Sequence, residues 1–240
     1  MSAGLLRNFV RLLTVFLFMA NAHAADSGGT FVAGWNLSGN STANPLDVQA
    51  VFGTAGAKVP GVTASVVAVW RWNAATRTWQ LYTPILDASA LAAHANRQRI
   101  EVLSTINSGE AYWVLATAPF SLPAGGTADG THTLTGADLS RGWNMAITGA
   151  SITPNDLNTA LQDSFTSLPP APGTRPAPTP AGFISLWAWD SAANNWYFYA
   201  PALDNARGTL AHFILRRGLL DFAAAGKTLG AGVGFWVNMP

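Results

Sequence analysis

The sequence predicts a mostly β protein with minor α (α+β), built as two tandem units related by a pseudo-twofold axis. Each unit is expected to be a small antiparallel, meander-like sheet with two short helices. Three observations carry this prediction. Short segments rich in strand formers are separated by turn residues. The chain of 240 residues aligns with itself. All ten tryptophans fall at positions that the two halves share, five in each.

The alignment is clearest over Trp70–Asp87, WRWNAATRTWQLYTPILD, and Trp187–Asp204, WAWDSAANNWYFYAPALD, which match without a gap and are identical at eight of eighteen positions. Upstream, Gly-Trp-Asn at 34–36 recurs at 142–144, and downstream GEAYWV at 109–114 corresponds to GVGFWV at 232–237. Self-similarity of this kind marks a duplicated structural unit. It divides the chain into a first unit at 25–120, a linker at 121–138 and a second unit at 139–240. The second unit carries a proline-rich loop at 168–182, LPPAPGTRPAPTPAG, expected to be extended and solvated.

Within each unit the elements follow in the same order. TFVAGWNLSG, Thr30–Gly39, alternates and opens the first unit as a strand. Asn44-Pro45 and Thr153-Pro154 read as helix starts, each a capping side chain followed by proline at the first helical position. Asp47 and Asp156 then lie where a carboxylate serves a helix N-terminus, and Leu157, Leu161 and Phe165 follow at helical spacing. SVVAVWRWN and FISLWAWD are the next strands; apolar on both faces where they begin, they belong at the centre of a sheet. NAATRT and DSAANN turn the chain back into a returning strand. A second helix follows, SALAAHANRQ or TLAHFILRR, with Asp87 or Asp204 at its start and Gly218 closing the latter. AYWVLA and GFWVNM end the units as strands.

Strand periodicity gives the tryptophans a structural role. Trp70 and Trp72 share one face of their strand, and Trp187 and Trp189 repeat this. Large aromatic side chains bury roughly 150–250 Å² each. The set Trp35, Trp70, Trp72, Trp79, Trp113, Trp143, Trp187, Trp189, Trp196 and Trp236 is therefore expected to form the structural core. The intervening positions differ between the copies, Arg71/Ala188, Gln80/Tyr197 and Thr83/Ala200, and read as the solvent face.

Residues 1–24 have the form of an export signal: Arg7 and Arg11, the nine-residue apolar run LLTVFLFMA, then AHA at 22–24. A bilayer span needs about 20 apolar residues, so no transmembrane anchor is expected. Cleavage near Ala24/Ala25 would place the protein in the periplasm or outside the cell. Three residues follow Val237, too few for a sorting tail, so covalent anchoring is not expected either. Without the signal, eleven basic residues face twelve acidic ones, which leaves no cationic footprint for nucleic acid.

The absence of cysteine excludes disulfides, thiol catalysis and thiolate metal sites. His94, His132 and His212 have no metal-ligand spacing, and neither an HExxH motif nor an acidic calcium loop occurs; no metal and no cofactor are expected. No G-x-S-x-G elbow is present. The repeated acids, Asp47/Asp156, Asp87/Asp204 and Asp190 opposite Asn73, each have a cap or turn to serve, so no catalytic residue is assigned. Glu110 has no acidic counterpart in the second unit. It is a ligand-binding candidate, weighed against an exposed turn residue. Tyr197 and Tyr199 of the WYFY run are the others; Tyr197 reads as an exposed contact or as packing against a helix.

The Gly-Trp-Asn opening, the Trp-x-Trp-Asp hairpin and the closing Gly-x-Gly-Phe-Trp-Val resemble a tryptophan-rich tandem repeat of exported proteobacterial proteins, over nearly the whole chain after residue 24. That family is largely without assigned activity, so the resemblance implies an address and an architecture and no catalytic residue. The first unit departs from the closing motif, with Glu110-Ala111 where the second has Val233-Gly234. The function expected is an exported, non-enzymatic structural or binding module of the cell surface or periplasm. Its partner would be a surface glycan or another exported protein. A carbohydrate-binding module using hairpin aromatics is the alternative, and a secreted hydrolase the third reading.

Overall fold

The computed structural model describes residues 29–122, 132–163, 182–205 and 208–240. The signal segment, linker residues 123–131, Phe165 and the proline-rich run through 181 lie outside the described residues. The first unit forms β1 (Thr30–Phe31), β2 (Gly34–Gly39), β3 (Leu46–Asp47), α1 (Val48–Phe52), β4 (Val66–Asn73), β5 (Thr78–Tyr82), α2 (Ala88–Gln98), β6 (Glu101–Val102), β7 (Thr105–Ile106), β8 (Ala111–Ala116) and β9 (Phe120–Ser121). The second forms β10 (Gly142–Ala146), α3 (Pro154–Asp163), β11 (Ser185–Asp190), β12 (Asn195–Tyr199), α4 (Pro201–Asp204), α5 (Thr209–Arg217), β13 (Leu220–Asp221) and β14 (Phe235–Met239). The protein is mostly β with minor α.

Each unit holds one five-stranded sheet, in the order β2-β8-β4-β5-β6 and β10-β14-β11-β12-β13. The doubly apolar strands β4 and β11 are central, as their sequence requires. The closing strand of each unit enters between the opening strand and the hairpin. All pairs in these two sheets are antiparallel except the short edge pairs β5–β6 and β12–β13. Those outer strands are two residues long and carry Glu101 or Asp221, a short charged edge that discourages pairing with another chain.

Gly-Trp-Asn is a bend with its own clip. Gly34 and Gly142 have φ of +99° and +89°, in the left-handed region. Asn36 Oδ1 accepts the Val32 N–H at 2.9 Å, while its Nδ2 donates to the Val32 and Gly34 carbonyls at 2.8 and 3.1 Å. Asn144 makes the same three bonds to Ser140 and Gly142 at 2.8, 2.7 and 3.0 Å. Both amides are buried. Asn144→Ala is expected to cost about 1–3 kcal/mol, read by urea denaturation, because it strands buried backbone groups.

The hairpin turns also repeat. Asn73 Oδ1 accepts the Ala75 and Thr76 amides, and Asp190 Oδ1 accepts those of Ala192 and Ala193. Thr153-Pro154 starts α3 as its sequence predicts, with the Asp156 N–H donated to Thr153 Oγ1 at 3.1 Å. Asn44-Pro45 does not start a helix. The Asn44 carbonyl is taken by Asn40 Nδ2 and Thr42 Oγ1 at 2.8 and 2.9 Å, and the chain runs on as β3. Asp47 itself then caps α1. Asp87 caps α2, whereas Asp204 ends α4 and turns to Tyr199, leaving Gly208 in front of α5.

The faces of the sheets that do not carry tryptophan are buried inside their own units. In the first, Val69, Tyr112 and Val114 pack with Phe52 and Ile106; in the second, Leu186, Ala188, Tyr197 and Tyr199 pack with Leu157, Phe183 and Phe222. This corrects the expectation that the drifting face meets solvent. Arg71 is 7% exposed, Ala188 1% and Tyr197 8%. The two units fill the same inner layer with different side chains, so their divergence records repacking under helices and loops.

Candidate functional site: the tryptophan seam between the units

The tryptophan faces of the two sheets lie against each other, and their contacts are reciprocal. Trp72 Nε1 donates to the Trp143 carbonyl at 2.9 Å; Trp189, at the place of Trp72 in the second unit, donates to the Trp35 carbonyl at 2.8 Å. Trp113 meets Trp189 and Trp196 edge-on at ring-centroid distances of 5.9 and 5.7 Å. Its counterpart Trp236 meets Trp72 and Trp79 at 6.4 and 5.8 Å. Within the units, Trp35–Trp113 at 5.9 Å is repeated by Trp143–Trp236 at 6.2 Å. Edge-to-face pairs of this kind add stabilisation beyond buried area. These tryptophan contacts, each with its mate, have the signature of an isologous interface, made here within one chain. The indole donors also satisfy carbonyls on β2 and β10, the outermost strands on that side of each sheet.

Most of the tryptophans therefore pack between the units rather than at the centre of each. Trp113 is 2% exposed and Trp189 9%, while the remaining eight are half-buried. Trp187 has a second neighbourhood, against Phe198 at 4.5 Å and the side of α5 that carries Ile214. Periodicity identifies the face that tryptophans share; it does not say what covers that face.

Close to the pseudo-twofold the backbones approach without room for side chains. A methyl on Gly234 would lie 2.3 Å from the Ser38 carbonyl oxygen and 3.1 Å from the Cβ of Ala111, the residue at the same place in the first unit. Ala111 is fully buried. The departure of the first unit from the closing motif thus has a steric reason: of two equivalent positions facing each other, one carries the methyl. Gly234→Ala is expected to lower Tm by about 4–12 °C in calorimetry, the response to roughly 2–3 kcal/mol in a chain of this size.

Glu110 is not a free turn acid. Its carboxylate pairs with the buried Arg71 guanidinium and accepts the Asn107 N–H at 2.7 Å. Its backbone forms a β-bridge with Ala146 of the second unit. Tyr197 is buried with its ring 5.0 Å from Phe222, so it packs on a loop of its own unit instead of meeting solvent. Burial raises its pKa, with the negative charge of Asp190 adding to the effect.

Tyr199 is also buried. Its hydroxyl donates to Asp204 Oδ2 at 2.8 Å and has Asn155 Oδ1 at 3.1 Å, tying β12 to the ends of α3 and α4. Desolvation raises its pKa strongly, and the hydrogen bond to and charge of Asp204 and the charge of Asp156 add to this. A raised phenol pKa contributes stability that is complete below the ordinary value near 10 and is lost as pH climbs toward the folded value. Tyr199→Phe is therefore expected to flatten the loss of stability above pH about 10 in a pH series of urea melts.

A second pair that the fold assembles, besides Arg71–Glu110, carries no signal in the sequence. Ser108 Oγ lies 3.0 Å from His132 Nδ1. The His132 backbone N–H donates to the Ser41 carbonyl at 3.0 Å and its carbonyl accepts the Gly149 N–H at 2.8 Å, so its backbone bridges the two units. The two residues are distant in sequence and carry no shared motif. His132 Nε2 is buried without a partner among the described residues, so no carboxylate orients the ring as a catalytic triad requires. Among the described residues no group of three or more His, Cys, Asp or Glu is placed to hold a metal ion. No described helix is long and apolar enough to cross a membrane. A shallow cleft of about 380 Å³ in the first unit is lined by Ala55, Lys58, Val66, Pro84, Ile85 and Thr117 among others, with no converging acid, base and nucleophile.

Fold and seam define a class: a mostly β protein of two homologous units, with five-stranded sheets joined face to face by reciprocal tryptophan contacts. The chain matches no family model, and no curated protein and no solved structure matches it significantly.

Proposed function

We propose that the protein is an exported, non-enzymatic structural or binding module of the cell surface or periplasm. The observation that carries this reading is that the acids repeated between the units all serve the fold. Asp47 and Asp87 cap helices, Asp190 closes a turn, Asp156 joins Thr153, and Asp204 holds Tyr199. Glu110 is engaged by Arg71. The tryptophans, the other distinctive residues, hold the units together. Export is inferred from Arg7, Arg11, the apolar run and AHA at 22–24.

Two experiments test it. Fractionation of cells expressing the full chain, with mass analysis of the product, should find it outside the cytoplasm and beginning near Ala25; an uncut cytoplasmic product would contradict export. A panel of glycosidase and esterase substrates should give no turnover, and turnover abolished by Glu110→Gln or Ser108→Ala would contradict the non-enzymatic reading. A carbohydrate-binding module using hairpin aromatics is the second reading. What favours it is that Trp79 and Trp196 on the hairpins are only half-buried, although Tyr197 and Tyr199 are buried.

A further inference from the structure

The two units differ in one costly respect at the same corner of their sheets. Among the described residues, the non-glycine positions with positive φ are Arg77 at +58°, Arg99 at +56° and Asn194 at +49°. Asn194 stands in the second unit where Arg77 stands in the first, and Gly218, at φ +64°, stands where Arg99 does. Asparagine and glycine are the residues that tolerate this backbone best; arginine has no such advantage. The first unit therefore carries arginine twice where its own sister copy has the relaxed solution. Backbone strain held in place in this way points toward a role for the side chain.

Extending the register of the sheet edge brings the two arginines to the same corner. β5 and β6 run parallel with Gln80 opposite Glu101, which sets Arg99 level with Thr78 and beside Arg77. The second unit records the same closeness, where Asn195 Nδ2 donates to the Gly218 carbonyl at 2.9 Å. Arg97 lies two residues before Arg99, in the last turn of α2, and all three arginines are exposed. The acid at this corner, Glu101, is held by Gln80 Nε2 at 2.7 Å. The matching corner of the second unit has Arg216 and Arg217, the latter drawn over the Phe213 ring at 5.5 Å.

We propose that the Arg77–Arg97–Arg99 corner docks an anionic polysaccharide, with its carboxylate or sulfate groups taken by the guanidinium forks. The choice of a surface polymer as partner rests on the exported-module reading. Guanidinium groups pair in bidentate fashion with planar or tetrahedral oxyanions. Here they project from a turn, a helix end and the residue that leaves that helix. That spread suits charges repeated along a chain rather than one enclosed ion.

The test uses the purified protein on immobilised heparin and in titrations with polygalacturonate, with neutral dextran as control. Wild type is expected to bind both polyanions and not dextran. Arg77→Asn/Arg99→Gly is expected to elute at lower salt, to bind at least about tenfold more weakly, and to lower the slope of log K against log salt by about two. The same variant should melt about 2–4 °C higher per site as strain is relieved, which separates lost binding from lost folding. Elution together with wild type would overturn the proposal. So would an equal loss from Arg216→Gln/Arg217→Gln, or wild-type binding to anionic vesicles or duplex DNA but to neither polysaccharide. Polyanion binding by a protein that fractionation finds in the cytoplasm would remove the surface setting and keep the corner; loss of binding with export intact would do the reverse.

Discussion

Trp113→Ala is expected to lower the free energy of unfolding by about 3–5 kcal/mol, the range for truncating a large buried aromatic. Domains of this kind are stable by only about 5–15 kcal/mol in total, so the effect should be obvious in a urea melt. Trp113 is 2% exposed and touches Trp35 of its own unit and Trp189 and Trp196 of the other. Its loss removes ring contacts on both sides of the seam. Trp187→Ala should behave differently, because Trp187 contacts Trp196, Phe198 and the α5 side of its own unit. It should destabilise without increasing cleavage between the units in limited proteolysis, whereas Trp113→Ala should increase that cleavage.

The second large effect is expected at the ion pair. Glu110→Val should cost about 3–5 kcal/mol, because it strands the Arg71 guanidinium, whose side chain is 9% exposed. Arg71→Ala should cost less, about 1–3 kcal/mol, because the Glu110 side chain is 28% exposed and can draw on water and the Asn107 N–H. The double variant Arg71→Ala/Glu110→Val installs the residues that the second unit carries at these places, Ala188 and Val233. It should return to within about 1 kcal/mol of wild type, since a well-packed apolar pair commonly replaces a buried ion pair without loss. Chemical denaturation of the three variants reads the cycle. A double variant as unstable as Glu110→Val would mean that the charges do more than neutralise each other.

Much of this architecture is legible in the sequence because its signals are local. The central hairpin strands, the turns at Asn73 and Asp190, and α5 with its Gly218 cap rest on spacing within a few residues, and the duplication is read by aligning such local segments with each other. Asn44-Pro45 misleads because its carbonyl is claimed by Asn40 and Thr42, a local competition that a proline-based helix rule does not register. The larger gap concerns faces. A strand pattern separates Trp70 and Trp72 from Arg71 but is silent on which side another unit will cover. The drifting face reads as wet from the sequence and is instead an inner core, because each unit is its own packing problem. Tyr197 is buried on Phe222 for that reason. Pairs such as Arg71–Glu110 and Ser108–His132 join distant residues and leave no spacing to read.

The most direct measurement is a double-mutant cycle across the seam, with Trp113→Leu and Trp189→Leu singly and together, followed by equilibrium urea unfolding. These residues belong to different units and lie 5.9 Å apart, ring to ring. Reciprocal tryptophan packing between the units predicts a coupling of at least about 0.5 kcal/mol. Strict additivity, within about 0.3 kcal/mol, would contradict it.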